Sequence, residues 1–121
     1  MGLKIAATVL ALLPLPSLAQ NMHCTSQGYC DDSLTCSPDD EGFDLTYRTD
    51  GTVDFGWVGS TVFNAKPLAR NGFTYFPSTS GPDAVQLLVV GDDLRATLTV
   101  AFAIGGVLHS SLQVLICEVA P

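Results

Sequence analysis

Four cysteines constrain the fold of this chain more than any other feature of its sequence. Cys24, Cys30 and Cys36 lie close together, whereas Cys117 lies more than 80 residues later, near the end of the 121-residue chain. In an oxidising compartment they would form disulfides, and four cysteines allow three pairings. We favour Cys24 with Cys117 and Cys30 with Cys36. The first bond would fasten an early strand to the last one and the second would close a small acidic loop, while the other pairings stay open.

The first nineteen residues have the pattern of a secretory signal peptide. One cation, Lys4, precedes an apolar run over residues 5–15, and Ala19 precedes Gln20. This pattern predicts cleavage before Gln20 and a periplasmic or secreted protein, in which disulfides persist. The apolar run is shorter than a membrane span requires, so we expect no membrane insertion after cleavage.

Acidic residues outnumber basic ones throughout the chain. There are 12 Asp and Glu against 5 Lys and Arg, a formal net charge of -7. Loss of Lys4 with the signal peptide would change that charge to -8. Such a surface repels phosphate backbones, so we expect no nucleic-acid binding. It attracts cations, which favours a cationic protein as the unknown partner.

Alternation of apolar and polar residues predicts an all-β fold. Residues 43–49 and 52–57 alternate on either side of Asp50-Gly51, which predicts a hairpin with a type I′ turn. Asn71-Gly72 and Gly105-Gly106 are further turn signals, and no segment of the mature chain has a helical apolar stripe. We expect a small antiparallel meander of about seven to eight strands, forming a barrel or sandwich stapled by disulfides.

The predicted organisation places two segments after the signal peptide of residues 1–19. Residues 20–42 are expected to be an irregular cysteine-containing segment, with one short strand around residues 22–26. Residues 43–121 are expected to be the antiparallel β domain, and residues 20–121 to fold as one unit.

Two of the later strands allow a prediction of which side chains face the core. Alternate residues of a strand share a face. One core-facing set would therefore be Leu94, Ala96, Leu98, Val100 and Phe102. In the last strand the same argument selects Leu112, Val114 and Ile116, with Leu115 on the far side.

Both ends of the mature chain carry cysteine motifs. These are His23-Cys24, Tyr29-Cys30-Asp31, Thr35-Cys36 followed by Phe43-Asp44-Leu45, and the terminal Ile116-Cys117-Glu118. In these motifs the chain resembles small exported disulfide-containing bacterial proteins of unknown function, which implies export and disulfides but no activity. It more broadly resembles periplasmic lysozyme inhibitors, which are small disulfide-bearing antiparallel barrels. Their inhibitory motif, Ser-Gly followed closely by a basic residue and Tyr, is not matched, since the chain reads Ser80-Gly81-Pro82-Asp83-Ala84.

The sequence contains no motif that identifies a catalytic, cofactor or metal site. The acidic pairs lack the spacing of known calcium loops, and no nucleophile-elbow pattern surrounds a serine. We therefore predict a non-enzymatic exported binding module with an acidic surface, inhibitor-like in its wider resemblance, without cofactor or metal. The candidate binding surface consists of Trp57, Tyr75, Asp31 and Asp32.

Two alternative functions remain at this point. One is a small β-barrel that carries an apolar ligand, as lipocalin-like folds do. The other is a hydrolase in which His109 activates a neighbouring hydroxyl, Ser110 or Ser111, and an aspartate orients the imidazole.

Overall fold

The computed structural model describes residues 20–60, 62–79 and 84–120. The predicted signal peptide and the Ser80–Asp83 segment lie outside these residues. No described residue is helical, and so no helix of membrane-spanning length and apolarity occurs among them. The described residues form ten strands: β1 (Met22–Cys30), β2 (Cys36–Ser37), β3 (Gly42–Tyr47), β4 (Val53–Trp57), β5 (Phe63–Ala65), β6 (Leu68–Arg70), β7 (Phe73–Ser78), β8 (Ala84–Gly91), β9 (Arg95–Ile104) and β10 (Val107–Val119).

All ten strands belong to one antiparallel sheet, which confirms the predicted all-β class. Their order is β5-β4-β3-β1-β10-β9-β8-β7-β6, and β2 pairs with the end of β1. β1 therefore lies in the interior of the sheet, between β3 and β10. It is nine residues long, longer than the short strand expected around residues 22–26. The described residues form a single curled sheet, a half-barrel, rather than the two packed sheets of a sandwich. We use the word barrel for this curled sheet.

The two edge strands of the sheet are consecutive in the chain, so the sheet must curl to bring its edges together. β5 and β6 are at opposite ends of the strand order, yet only Lys66 and Pro67 separate them. Since every pairing is antiparallel, counting round the sheet gives β5 and β6 the same direction. They are two halves of one bent strand, the first paired with β4 and the second with β7. Proline has no N–H to donate, which accounts for the interruption.

The buried face of the sheet forms the core. Phe43, Phe55 and Phe76 are all fully buried, and the rings of Phe43 and Phe55 lie 5.9 Å apart. The Tyr47 ring on β3 meets the Phe76 ring on β7 edge-on at 6.4 Å, a contact that requires the sheet to curl. Each buried phenylalanine stabilises the fold by roughly 1.5–3 kcal/mol relative to an exposed one.

The two disulfides have the pairing that we favoured. Cys24 and Cys117 are bonded at directly opposite positions of β1 and β10, and both are buried. Cys30 and Cys36 are bonded between β1 and β2 and close a loop of acidic residues. The first disulfide joins the first strand to the last within the core, and the second lies at one end of the barrel.

The last strand turns the opposite face to the core from the one predicted. Leu115 is fully buried. The three residues expected in the core are 39% to 52% exposed: Leu112, Val114 and Ile116. The prediction is wrong because Cys117 must face Cys24 inside the barrel, and residues two apart share a face. That constraint directs Leu115 inward and leaves an apolar stripe on the outer face of β10.

The predicted turns form at the expected places, with one difference in type. Asn71 and Gly72 have φ of 47° and 85°, and both belong to a two-residue turn between β6 and β7. At Asp50-Gly51 only Gly51 is left-handed, with φ of 87°. The Gly51 N–H donates to the Arg48 carbonyl at 3.2 Å, so this hairpin has a three-residue loop instead of a type I′ turn.

Candidate interaction surface at the hairpin end

Among the described residues, the hairpin of β9 and β10 extends beyond the strands on either side of it. β8 pairs with β9 only as far as Phe102, and β1 pairs with β10 only as far as Leu112. Gly105 and Gly106, with φ of 58° and 79°, form the two-residue turn. Residues 103–111 are therefore a projecting segment, which we name the hairpin tip. The end of the barrel that carries it is the hairpin end.

The hairpin tip is exposed and apolar. Ile104 is 63% exposed, Val107 56% and Leu108 74%. Ile104 and Val107 are paired on one face of the hairpin, and Leu108 lies on the other face. Scattered single apolar residues are ordinary on protein surfaces, whereas exposed apolar residues on both faces of a projecting element indicate a contact site. Leu108 also shares the outer face of β10 with Leu112, so the apolar surface continues from the tip along the strand.

A loop stapled by the Cys30–Cys36 disulfide lies beside the hairpin tip. We name residues 31–41 the stapled loop: the disulfide closes residues 31–35, and residues 38–41 connect β2 to β3. The segment begins with a turn organised by the Asp31 carboxylate. Its Oδ1 accepts hydrogen bonds from Ser33 Oγ at 2.7 Å and from the backbone N–H groups of Ser33 and Thr35 at 3.0 Å. The Ser33 hydroxyl and these N–H groups hold the pKa of Asp31 below its usual value. The carboxylate is therefore the form that the turn stabilises.

Two side-chain contacts hold the stapled loop against the hairpin. His109 Nδ1 lies 2.7 Å from Asp32 Oδ2, and the Phe102 ring stacks on the imidazole with centroids 5.4 Å apart. Gln113 Nε2 donates to Asp39 Oδ2 at 3.1 Å. Together with the disulfide, these contacts fix the loop and the hairpin as one surface although 77 residues separate Asp32 from His109.

Charge is distributed unevenly between the two ends of the barrel. The stapled loop carries five carboxylates: Asp31, Asp32, Asp39, Asp40 and Glu41. The four Lys and Arg of the described chain lie at or beside strand ends away from the hairpin tip: Arg48, Lys66, Arg70 and Arg95. Arg48 pairs with Asp54 at 3.0 Å. The hairpin end is therefore an apolar projection beside an anionic loop.

The four residues predicted as a binding surface do not form one surface. Asp31 and Asp32 lie together in the stapled loop, as described above. Trp57 packs edge-on against Phe43, with ring centroids 4.9 Å apart, at the margin of the core. Tyr75 precedes the buried Phe76 in β7 and so points to the outer face. Trp57 and Tyr75 are on opposite faces of the sheet and cannot form a common platform.

His109 has one of the two partners that a hydrolase would need. Asp32 binds its Nδ1 atom, the position from which a carboxylate orients a catalytic imidazole. The hydrogen bonds of the described residues join His109 to neither Ser110 nor Ser111. His23 Nδ1 lies 2.7 Å from Asp44 in the same way, so such a pair on this sheet is by itself no sign of catalysis. The described residues also contain no metal-binding group of three or more His, Cys, Asp or Glu side chains.

Sequence reasoning missed the hairpin tip and the Asp32–His109 contact. The tip had a signal, because apolar residues flank Gly105-Gly106 on both sides. The contact had none, since no periodicity relates a residue of the stapled loop to one of the last strand.

The chain was also compared with known proteins. Protein-family models, curated proteins and solved structures all gave no match. The resemblances to exported disulfide-containing proteins and to lysozyme inhibitors therefore stay predictions, and the geometry of the hairpin end carries the functional argument.

Proposed function

We propose that the protein is an exported, non-enzymatic binding module that docks a cationic protein at its hairpin end. The observation that carries this proposal is the exposed hairpin tip with Ile104, Val107 and Leu108 beside the anionic stapled loop. The disulfides support export, because bonds such as Cys24–Cys117 persist in oxidising compartments.

The hairpin tip supplies the affinity in this arrangement. Burying an aliphatic side chain contributes roughly 1.5–3 kcal/mol, and a projecting tip can enter a partner's apolar pocket without rearranging the barrel. The disulfide Cys30–Cys36 and the Asp32–His109 contact hold loop and hairpin in place before binding. Less conformational freedom is then lost on association, which preserves affinity.

The stapled loop supplies the choice of partner. No Lys or Arg of the described chain lies beside its five carboxylates, so their charge is not neutralised. Opposite charge accelerates encounter and excludes partners of the same sign, and salt weakens both effects. The partner is accordingly a basic protein with an apolar pocket rimmed by Lys or Arg. Basic enzymes of the lysozyme type are one class of cationic partner, and a purified lysozyme is the defined probe.

The test is a pull-down from the envelope fraction of the producing cell with a matched pair of variants. Leu108→Asp places a charge on the hairpin tip, and Leu68→Asp places the same charge on an exposed leucine of β6. We expect a basic protein to be captured at low salt by the parent protein and by Leu68→Asp. High salt and Leu108→Asp should each release it, and lysozyme binding measured by calorimetry should follow the same order.

Two outcomes contradict the proposal. One is a pull-down in which no captured protein depends on both salt and Leu108. The other is equal loss of the partner with Leu108→Asp and Leu68→Asp, because that result would place the contact away from the hairpin end.

A further inference from the structure

A cleft of about 210 Å³ opens at the end of the barrel opposite the hairpin tip. We name this the cleft end. Its apolar walls come from strand ends and from the turn between β8 and β9: Met22, Phe76, Val90, Leu94 and Val119. Phe76 and Val90 are buried residues of the core, so the floor of the cleft is part of the core. An apolar cavity of about 150 Å³ holds a benzene ring, and this one has room for a ring with a short side chain.

Tyr47 is one of the residues that line this apolar cleft. Its ring packs edge-on against Phe76, and its backbone N–H donates to Asn21 Oδ1 at 2.8 Å. Burial raises the pKa of Tyr47 above its usual value, so the hydroxyl stays protonated. None of the hydrogen bonds of the described residues involves this hydroxyl. The Tyr47 hydroxyl is therefore available for a hydrogen bond to a ligand.

Leu94 reaches the cleft through a backbone conformation that leucine rarely adopts. Its φ is 66°, and the turn is held by hydrogen bonds from the Leu94 N–H to the Gly91 carbonyl and from the Cys117 N–H to the Leu94 carbonyl. A non-glycine residue in this region is strained, and such strain is concentrated at ligand sites. Glycine would fit the turn without strain, but it would not supply the wall of the cleft.

Gln20, the first residue after the predicted cleavage position, lines the cleft, and Asp92 is the one side chain in that lining, among the described residues, that carries a charge. Asp92 lies at the rim and is exposed, and no Lys or Arg of the described chain forms an ion pair with it. A carboxylate ligand would be repelled by Asp92 and by the net charge of the chain, -7. An ammonium group would be attracted at the same place.

We propose that the cleft binds a small organic amine, with its aromatic or alicyclic ring against Phe76, Val90 and Leu94 and its ammonium group at Asp92. Tyr47 hydrogen-bonds to a polar substituent of the ring. This site lies at the opposite end of the barrel from the proposed docking surface, so each proposal can fail without the other.

The experiment uses three probes that share a phenyl ring and differ in charge. Isotope-labelled protein is titrated with phenethylamine, phenethyl alcohol or hydrocinnamate, and amide NMR signals are followed. We expect phenethylamine to bind tightest and to shift the signals of Gly91, Asp92 and Leu94. Asp92→Asn should weaken phenethylamine binding by about fivefold, the size of one exposed charge contact, and leave phenethyl alcohol unchanged.

Two variants test whether the cleft itself is the site. Val119→Trp fills the cleft, and Val114→Trp adds the same ring to the outer face of β10 as a control. Leu94→Gly removes a wall in a conformation that glycine adopts freely, so this variant keeps its fold. Val119→Trp and Leu94→Gly should abolish binding, and Val114→Trp should retain it. Equal affinity for hydrocinnamate, or no shift at the cleft with phenethylamine, would overturn the proposal.

Discussion

The two ends of this barrel are built in different ways. The cleft end rests on the core, with Phe76 and Val90 beneath it and Arg48 paired with Asp54. The hairpin end projects beyond the core and is held by a disulfide, an aspartate turn and two side-chain contacts. This difference implies that the residues that stabilise the fold are separate from those that we propose for partner binding. Changes in the core should unfold the protein, whereas changes at the hairpin end should leave it folded and alter what it binds.

The largest expected effect is loss of the buried disulfide. Cys24→Ala with Cys117→Ala opens a bond between residues 93 apart in sequence. The chain-entropy model gives a loss of about 4–5 kcal/mol in the free energy of unfolding, which urea denaturation measures. Partner binding by the fraction that remains folded should be unchanged. If removing the exposed disulfide, Cys30–Cys36, lowers the free energy of unfolding by more than this, the assignment of stability to the core is contradicted.

Two leucines of the same strand give the next comparison. Leu115→Ala removes a fully buried side chain and should cost about 2–5 kcal/mol. Leu108→Ala removes an exposed one at the hairpin tip and should change stability by less than about 0.5 kcal/mol. Thermal or urea unfolding of the two variants measures the difference. Equal losses would show that the hairpin tip is part of the core.

Loss of the exposed disulfide, Cys30–Cys36, should reduce partner affinity more than loss of Cys24–Cys117 does, although it should reduce stability less. Cys30→Ala with Cys36→Ala opens a bond between residues six apart, which the chain-entropy model values at about 2 kcal/mol. The stapled loop loses its closure beside the hairpin tip, so partner affinity should fall more than it does in the variant without Cys24 and Cys117. Calorimetric titration with the captured partner measures this. Unchanged affinity would mean that the loop takes no part in recognition.

Acidification should lower the free energy of unfolding, because it protonates one carboxylate at each end of the barrel. This is the smallest effect of the series. The Ser33 hydroxyl lowers the pKa of Asp31 at the hairpin end, and hydrogen bonds from Asn64 and then Arg48 lower the pKa of Asp54 at the cleft end. A folded pKa below the ordinary 3.8 means that each carboxylate stabilises the fold above that pH. The contribution is lost as the pH falls through the lowered value. Stability measured from neutral pH downward should therefore fall below about pH 4. Asp31→Asn should flatten this fall, and a rise in stability on acidification would contradict it.

The sequence was sufficient to predict the fold class, and it favoured the disulfide pairing that the structure has without excluding the other two. Asn71-Gly72 specified its turn because both residues accept positive φ. Cys24 and Cys117 could be paired because the first and last strands of a curled meander become neighbours. The turn depends on local conformation and the disulfide depends on closure of the sheet. Both can be inferred from one sequence.

The faces of β10 and the candidate site were not predictable in the same way. Every position from Val114 to Cys117 is apolar, so alternation could not choose the inner face. The position of Cys117 could have done so. Cys117 is bonded to Cys24 in the core, and Leu115, two residues earlier in the strand, shares its face. The contact of Asp32 with His109 arises only when the long hairpin and the stapled loop meet in the folded barrel.

The most direct test of the account is amide hydrogen exchange of the protein with and without its captured partner. We predict that the partner slows exchange in residues 31–41 and 103–111. Exchange should be unchanged in β6 and in the turn between β8 and β9, at the cleft end. Protection confined to the cleft end, or to the outer face of β8 and β9, would contradict the assignment of recognition to the hairpin end.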